Sequence, residues 1–154
     1  MSELLSYLGI VSLCICLLVS LAQIKISYLK SKVNYINYFN LSLIQFVSCL
    51  LSFLILIYIF ITSDFNFSLV YQNSHTEKPM IYKLSGSWGN HEGSLLMWIL
   101  ILTIFNFMFA LMSKVNVRLT EITVGVQSFL ILGFLLFLLF TSNPFSLLSE
   151  PPNE

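Results

Sequence analysis

Charge is scarce in this sequence: 9% of its 154 residues are Asp, Glu, Lys or Arg, seven basic against seven acidic. A soluble domain carries about 25%, so the chain cannot solvate a globular surface in the usual way. It has no basic run of the kind that binds nucleic acid, and nucleic-acid partners are excluded. Cysteine is also sparse. Cys14, Cys16 and Cys49 lie inside apolar runs and form no C-x-x-C pair and no C-x-x-C-H haem-attachment site. The chain is therefore neither a c-type cytochrome nor a thiol oxidoreductase, and its cysteines read as small apolar side chains. No H-x-x-x-H metal spacing, phosphate loop or nucleophile motif occurs, and the acids are too scattered for a carboxylate site. No metal site and no catalytic residue is assigned from the residues. Alanine is nearly absent, with two residues beside 14 phenylalanines, a bias of AT-rich coding such as an organelle or a reduced bacterium carries.

Apolar length is what the chain has in quantity. It is 57% hydrophobic, with a mean hydropathy of +0.88. Residues 4–24 and 93–113 are uncharged runs of 21 residues each. At 1.5 Å per residue either run spans about 32 Å, enough for a hydrocarbon core of about 30 Å. Residues 41–61 and 122–140 complete the set. The fold class predicted is an all-α integral membrane protein with four transmembrane helices and one longer outer-side loop, residues 62–92. The first run exceeds a signal-peptide core, with no basic segment before it and no A-x-A site after it, and is expected to be retained.

Small residues Gly9, Ser12, Cys16 and Ser20 recur at helical spacing in the first run, where they allow close helix approach. In the second, Gln45, Ser48, Cys49 and Ser52 fall at i, i+3, i+4 and i+7 and share one face. That stripe reads as a helix–helix interface or as the lining of a ligand path. Tyr28, Tyr35 and Tyr38 suit an interfacial belt, and residues 65–71 alternate loosely like a short extended stretch. Thr141, Ser142, Asn143 and Pro144 stop the fourth helix.

Five of the seven basic residues, Lys25, Lys30, Lys32, Lys114 and Arg118, cluster in the two loops on one side. Basic loops stay inside. Both termini and the 62–92 loop are then expected on the outer side.

The densest run of unusual residues is 86–98, G-S-W-G-N-H-E-G-S-L-L-M-W, with both tryptophans and three of six glycines. Asn90 suits a helix N-cap and Glu92 the positive end of a helix dipole. His91 fits either a haem axial ligand or a hydrogen-bonding residue at a helix start. His75 lies alone in the loop.

This run resembles the W-G-x-H-E-G-S-L-L-x-W signature of the CcmF haem lyases of cytochrome c maturation, to which the NrfE-type lyases are similar. Trp88, Gly89, His91, Glu92, Gly93, Ser94 and Trp98 carry the match. A second match is 133–145, G-F-L-L-F-L-L-F-T-S-N-P-F, and weaker similarity extends back to about Phe60. The resemblance implies a cytochrome c-type biogenesis protein in a mitochondrial or bacterial inner membrane, the N-terminal part of a module that joins haem to apocytochrome c through thioether bonds. CcmF-type proteins are several times longer, and their haem-ligating histidines and tryptophan-rich W-G-x-W-W-x-W-D segment have no counterpart here. The resemblance therefore implies haem at the level of a complex, with none on this chain alone. The partners implied are a separate chain carrying the remaining portion of a CcmF-like protein, a CcmH-like subunit and apocytochrome c. The alternative is a truncated remnant acting only as a small membrane scaffold. Gln45, Ser48, Cys49, Ser52, Asn106 and Gln127, with the small positions Gly125 and Gly133, are expected to be left in part unsatisfied and to hold the partner by polar contacts.

Overall fold

The computed structural model describes residues 1–28, 35–112 and 117–148. Six α-helices occupy them: α1 Ser2–Tyr28, α2 Tyr35–Ile61, α3 Ser68–Asn73, α4 Met80–Gly86, α5 His91–Met112 and α6 Val117–Thr141. Of these, α1, α2, α5 and α6 are long and apolar enough to cross a bilayer. The fold is all-α and multi-pass, as the uncharged runs require. The helices outrun those runs: α1 and α2 have 27 residues each. The apolar run sets the minimum span, whereas backbone hydrogen bonding carries a helix on into the interface. The expectations for Lys30, Lys32 and Lys114 fall outside the described residues.

The inward face of α1 is built from Ser6, Gly9, Ser12, Leu13, Cys16, Val19, Ser20 and Gln23. Its larger residues Leu4, Tyr7, Leu8, Val11, Ile15, Leu18 and Leu21 face outward. Lipid is as apolar as leucine, so burying leucine gains little, and small or hydrogen-bonding residues take the helix contacts instead. The four spans close into a ring: α1 packs on α2 and α6, α2 on α5, and α5 on α6. Cys16, Cys49, Leu56, Phe60, Leu96, Ile131 and Leu135 form part of the shared core. Tyr38, expected in an interfacial belt, is fully buried, whereas Tyr28 is exposed.

The connection from α2 to α5 packs back on one end of the ring. α2 ends at Ile61, and Ser63 takes a left-handed backbone at φ 52° while the Asp64 N–H donates to the Ile59 carbonyl at 3.1 Å. That is the turn by which many helices terminate. The extended stretch expected over 65–71 is overturned in part: residues 68–73 are the helix α3. Leu69 and Val70 are buried and Tyr71 is 52% exposed, so the burial pattern is not the alternation of a strand. Phe65 and Asn66 lie in a turn closed by the Phe67 N–H on the Asp64 carbonyl at 3.2 Å, and within the stretch Phe67 alone is extended. Phe67 pairs antiparallel with Leu147, through Ser68 N–H to the Ser146 carbonyl at 3.1 Å and Leu148 N–H to the Asn66 carbonyl at 2.8 Å. The segment after α6 is thereby docked: Phe145 is buried, and Ser6 Oγ donates to its carbonyl at 2.7 Å.

Candidate functional site

The 86–98 segment is a tight corner between α4 and α5. The Gly89 N–H donates to the Ser85 carbonyl at 2.9 Å, and the Ser87 hydroxyl to that of Leu84 at 2.7 Å. Asn90 then ties two helix ends together. Its Nδ2 donates to the Gly86 carbonyl at the end of α4 (2.7 Å), and its Oδ1 accepts the Gly93 N–H in the first turn of α5 (2.6 Å). One side chain satisfies an orphan carbonyl and an orphan N–H. α5 therefore begins at His91, two residues before the uncharged run, and His91 and Glu92 sit in its first turn.

The glycines answer to close approach. A Cβ on Gly93 would overlap the Ser87 carbonyl, and one on Gly86 would press on the Phe60 ring at the end of α2. Trp88 is half-buried against the bundle core, so it anchors the corner to the spans. Ser94 donates to the His91 carbonyl at 2.9 Å.

His91 is exposed, its ring edge-on to Phe137 of α6 with centroids 6.1 Å apart. On the same helical face, Leu95 and then Trp98 (58% exposed) follow at i+4 and i+7. Beside them α5 and α6 leave an apolar groove of about 480 Å³, lined by Leu95, Phe129, Leu130, Gly133, Phe134 and Phe137. His75 is exposed in the 62–90 connection. Among the described residues no three His, Cys, Asp or Glu side chains gather as they would around a metal ion.

Toward the opposite end from this corner, the spans meet in a buried hydrogen-bond network. Gln45 Nε2 donates to Ser20 Oγ at 2.8 Å, and Asn106 Nδ2 donates to Gln45 Oε1 at 2.7 Å. Gln23 Nε2 donates to Ser42 Oγ at 3.0 Å, while its Oε1 accepts Ser128 Oγ at 2.6 Å and Asn106 Nδ2 at 3.4 Å. The network links α1, α2, α5 and α6. Ser48 bonds within its own helix to the Gln45 carbonyl, Cys49 is fully buried, and Ser52 reaches the Gly9 carbonyl at 3.5 Å. Gln127 donates to the Leu102 carbonyl, and Gly125 packs against Ser27. The expectation that these groups are left in part unsatisfied is thus corrected for most of the polar side chains. Gln45, Ser48, Ser52 and Gln127 are paired inside the ring, of this set Asn106 Oδ1 alone is buried without a partner, and Gly133 keeps open space beside it. Gln23 went unmarked in the sequence, although it lies three residues beyond Ser20 and extends the small-residue stripe of α1.

The geometry defines a four-span helical membrane module with one ordered corner at the end where the described termini lie. No family model matches the sequence. Among curated proteins, the chain is 49% identical over 112 residues to the cytochrome c-type biogenesis protein ccl1 of Rhodobacter capsulatus, covering 72% of this chain and 17% of that one. It is 39% identical over 102 residues to CcmF of Escherichia coli, 66% of this chain and 16% of that protein. A probable NrfE of the same organism is 37% identical over 113 residues. A solved structure described as cytochrome c heme lyase CcmF superposes with a TM-score of 0.83 at 22% identity, over 92% of this chain and 25% of that one. The chain belongs to the CcmF family of cytochrome c-type biogenesis proteins and spans about 17% of the length of the curated relatives it matches.

Proposed function

We propose that this chain serves cytochrome c-type biogenesis as the N-terminal part of a CcmF-type haem lyase module, acting in a complex that attaches haem covalently to apocytochrome c. The observation that carries this reading is the identity to those relatives, 49% in one case, over about 70% of the chain. The corner geometry supports it: the Trp88, Asn90 and Gly93 contacts fix the start of α5 and leave His91 and Trp98 on an open face.

The chain's residues do not by themselves fit a haem. His91 is one exposed imidazole on the rim of an open groove, and the described residues gather no ligand set around it. In this reading haem belongs to the complex, its ligands come from a separate chain carrying the rest of a CcmF-like protein, and a CcmH-like subunit and apocytochrome c meet the outer face. In this reading the end bearing the 62–90 connection faces the periplasm or intermembrane space, because five of the seven basic residues of the sequence, Lys25 and Arg118 among them, belong with the other two connections and only Lys78 and Lys83 with this one.

Affinity purification of the tagged chain from detergent-solubilised membranes tests the reading. Recovery of a second chain bearing the tryptophan-rich segment is expected. A chain recovered alone and monodisperse points instead to the truncated scaffold.

A further inference from the structure

We infer that the groove between α5 and α6 seats a transmembrane helix of the chain that carries the rest of the CcmF-like protein. This rests on the reading above and names the face through which the two chains join.

Four observations converge on this face. The relatives extend far beyond the matched region, which is 17% of ccl1 and 25% of the solved CcmF chain, so those proteins have further structure that a surface of this module can adjoin. The spans α5 and α6 are the least enclosed: 33% of each apolar window is buried, against 50% for α2. Between them lies a concave apolar surface of about 480 Å³, the shape that receives side-chain knobs of a third helix. At its floor Gly133 has open space where a Cβ would stand.

Trp98 argues against lipid as the occupant. It lies seven residues into α5, about 10 Å below the helix start at 1.5 Å per residue, and is 58% exposed. Its indole N–H finds no acceptor in hydrocarbon. A carbonyl or hydroxyl on an adjoining helix supplies one, as polar side chains do between membrane helices. Most polar side chains of the spans are paired inside the ring, so the shape of the groove and this exposed donor define the joint.

Photo-cross-linking in the native complex tests it. p-Benzoylphenylalanine is placed at Phe137 on the groove or at Val11 on the outward face of α1, and adducts are identified by mass spectrometry. The inference expects a protein adduct from Phe137, mapping to a helix of a chain homologous to the remainder of the CcmF relatives, and none from Val11. Adducts with that chain from Val11 and not from Phe137, or only lipid adducts from Phe137, overturn the groove assignment while the partner reading stands. If no such chain co-purifies at all, the partner reading itself falls. Gly133→Leu gives an independent arm: its side chain enters empty space, so thermal unfolding of the isolated chain is preserved while co-purification is lost. Co-purification undiminished in Gly133→Leu overturns the proposal.

Discussion

The same substitution, Gly→Ala, should change stability in opposite directions at two positions of this bundle. Within a helix it normally stabilises by about 1 kcal/mol, because alanine has less backbone freedom to lose on folding. Gly133 lies inside α6 with nothing within 4 Å of an added Cβ, so Gly133→Ala should show that gain. Gly93 lies in the first turn of α5, and there the Cβ would overlap the Ser87 carbonyl and approach Asn90 Oδ1 at 3.0 Å. These are backbone and capping atoms, which cannot swing aside as the end of a long side chain can. Overpacking of this kind costs about 1–3 kcal/mol, and movement of Asn90 also weakens a cap whose loss costs about 1 kcal/mol. Gly93→Ala should therefore be destabilising by about 2 kcal/mol net, since the penalty outweighs the propensity gain. At about 2–4 °C per kcal/mol for a chain of this size, the two variants should unfold on opposite sides of the unmodified chain. The assay is thermal unfolding of the purified chain in detergent, followed by the emission of its two tryptophans, Trp88 beside the corner and Trp98 in α5. Equal shifts of one sign would refute the close approach of 87 to 93.

Three further expectations follow from particular contacts. Gln23→Leu removes one hydrogen bond donated and two accepted; at about 0.6 kcal/mol per bond between membrane helices it should destabilise the bundle by about 2 kcal/mol. An unchanged unfolding midpoint in detergent would contradict the network. Single cysteines at Lys25 and Arg118, in a chain otherwise free of cysteine, should react with membrane-impermeant thiol reagents only after the inner side is opened; labelling of either from outside reverses the orientation. The chain purified alone should show no stoichiometric haem absorbance, and a haem band that disappears in His91→Ala would make His91 a ligand in its own right.

The spans were legible because a bilayer leaves a run of charge-free residues little alternative to a helix. Their ends were not, since helix bonding runs past the apolar limit into residues such as Lys25, and α5 starts where Asn90 caps it. α3 and α4 left no periodic signal. Helices of six and seven residues are not stable alone, and α3 exists because Leu69 and Val70 find the bundle core. The importance of the 86–98 run could be read from its residue types, but the reason for Gly93 could not: it depends on where the Ser87 carbonyl lies. Polar residues in the spans were visible one by one. Which of them meet depends on α1 closing against α6, a contact between the two ends of the chain that no local spacing encodes.

The claim that the chain works in cytochrome c-type biogenesis is tested most directly by disrupting its gene and measuring haem-stained c-type cytochromes beside b-type cytochromes in the same membranes. The account predicts that covalently bound haem is lost from the c-type bands while b-type absorbance is kept, and that the unmodified gene restores the bands. Normal c-type bands in the disrupted strain would contradict it.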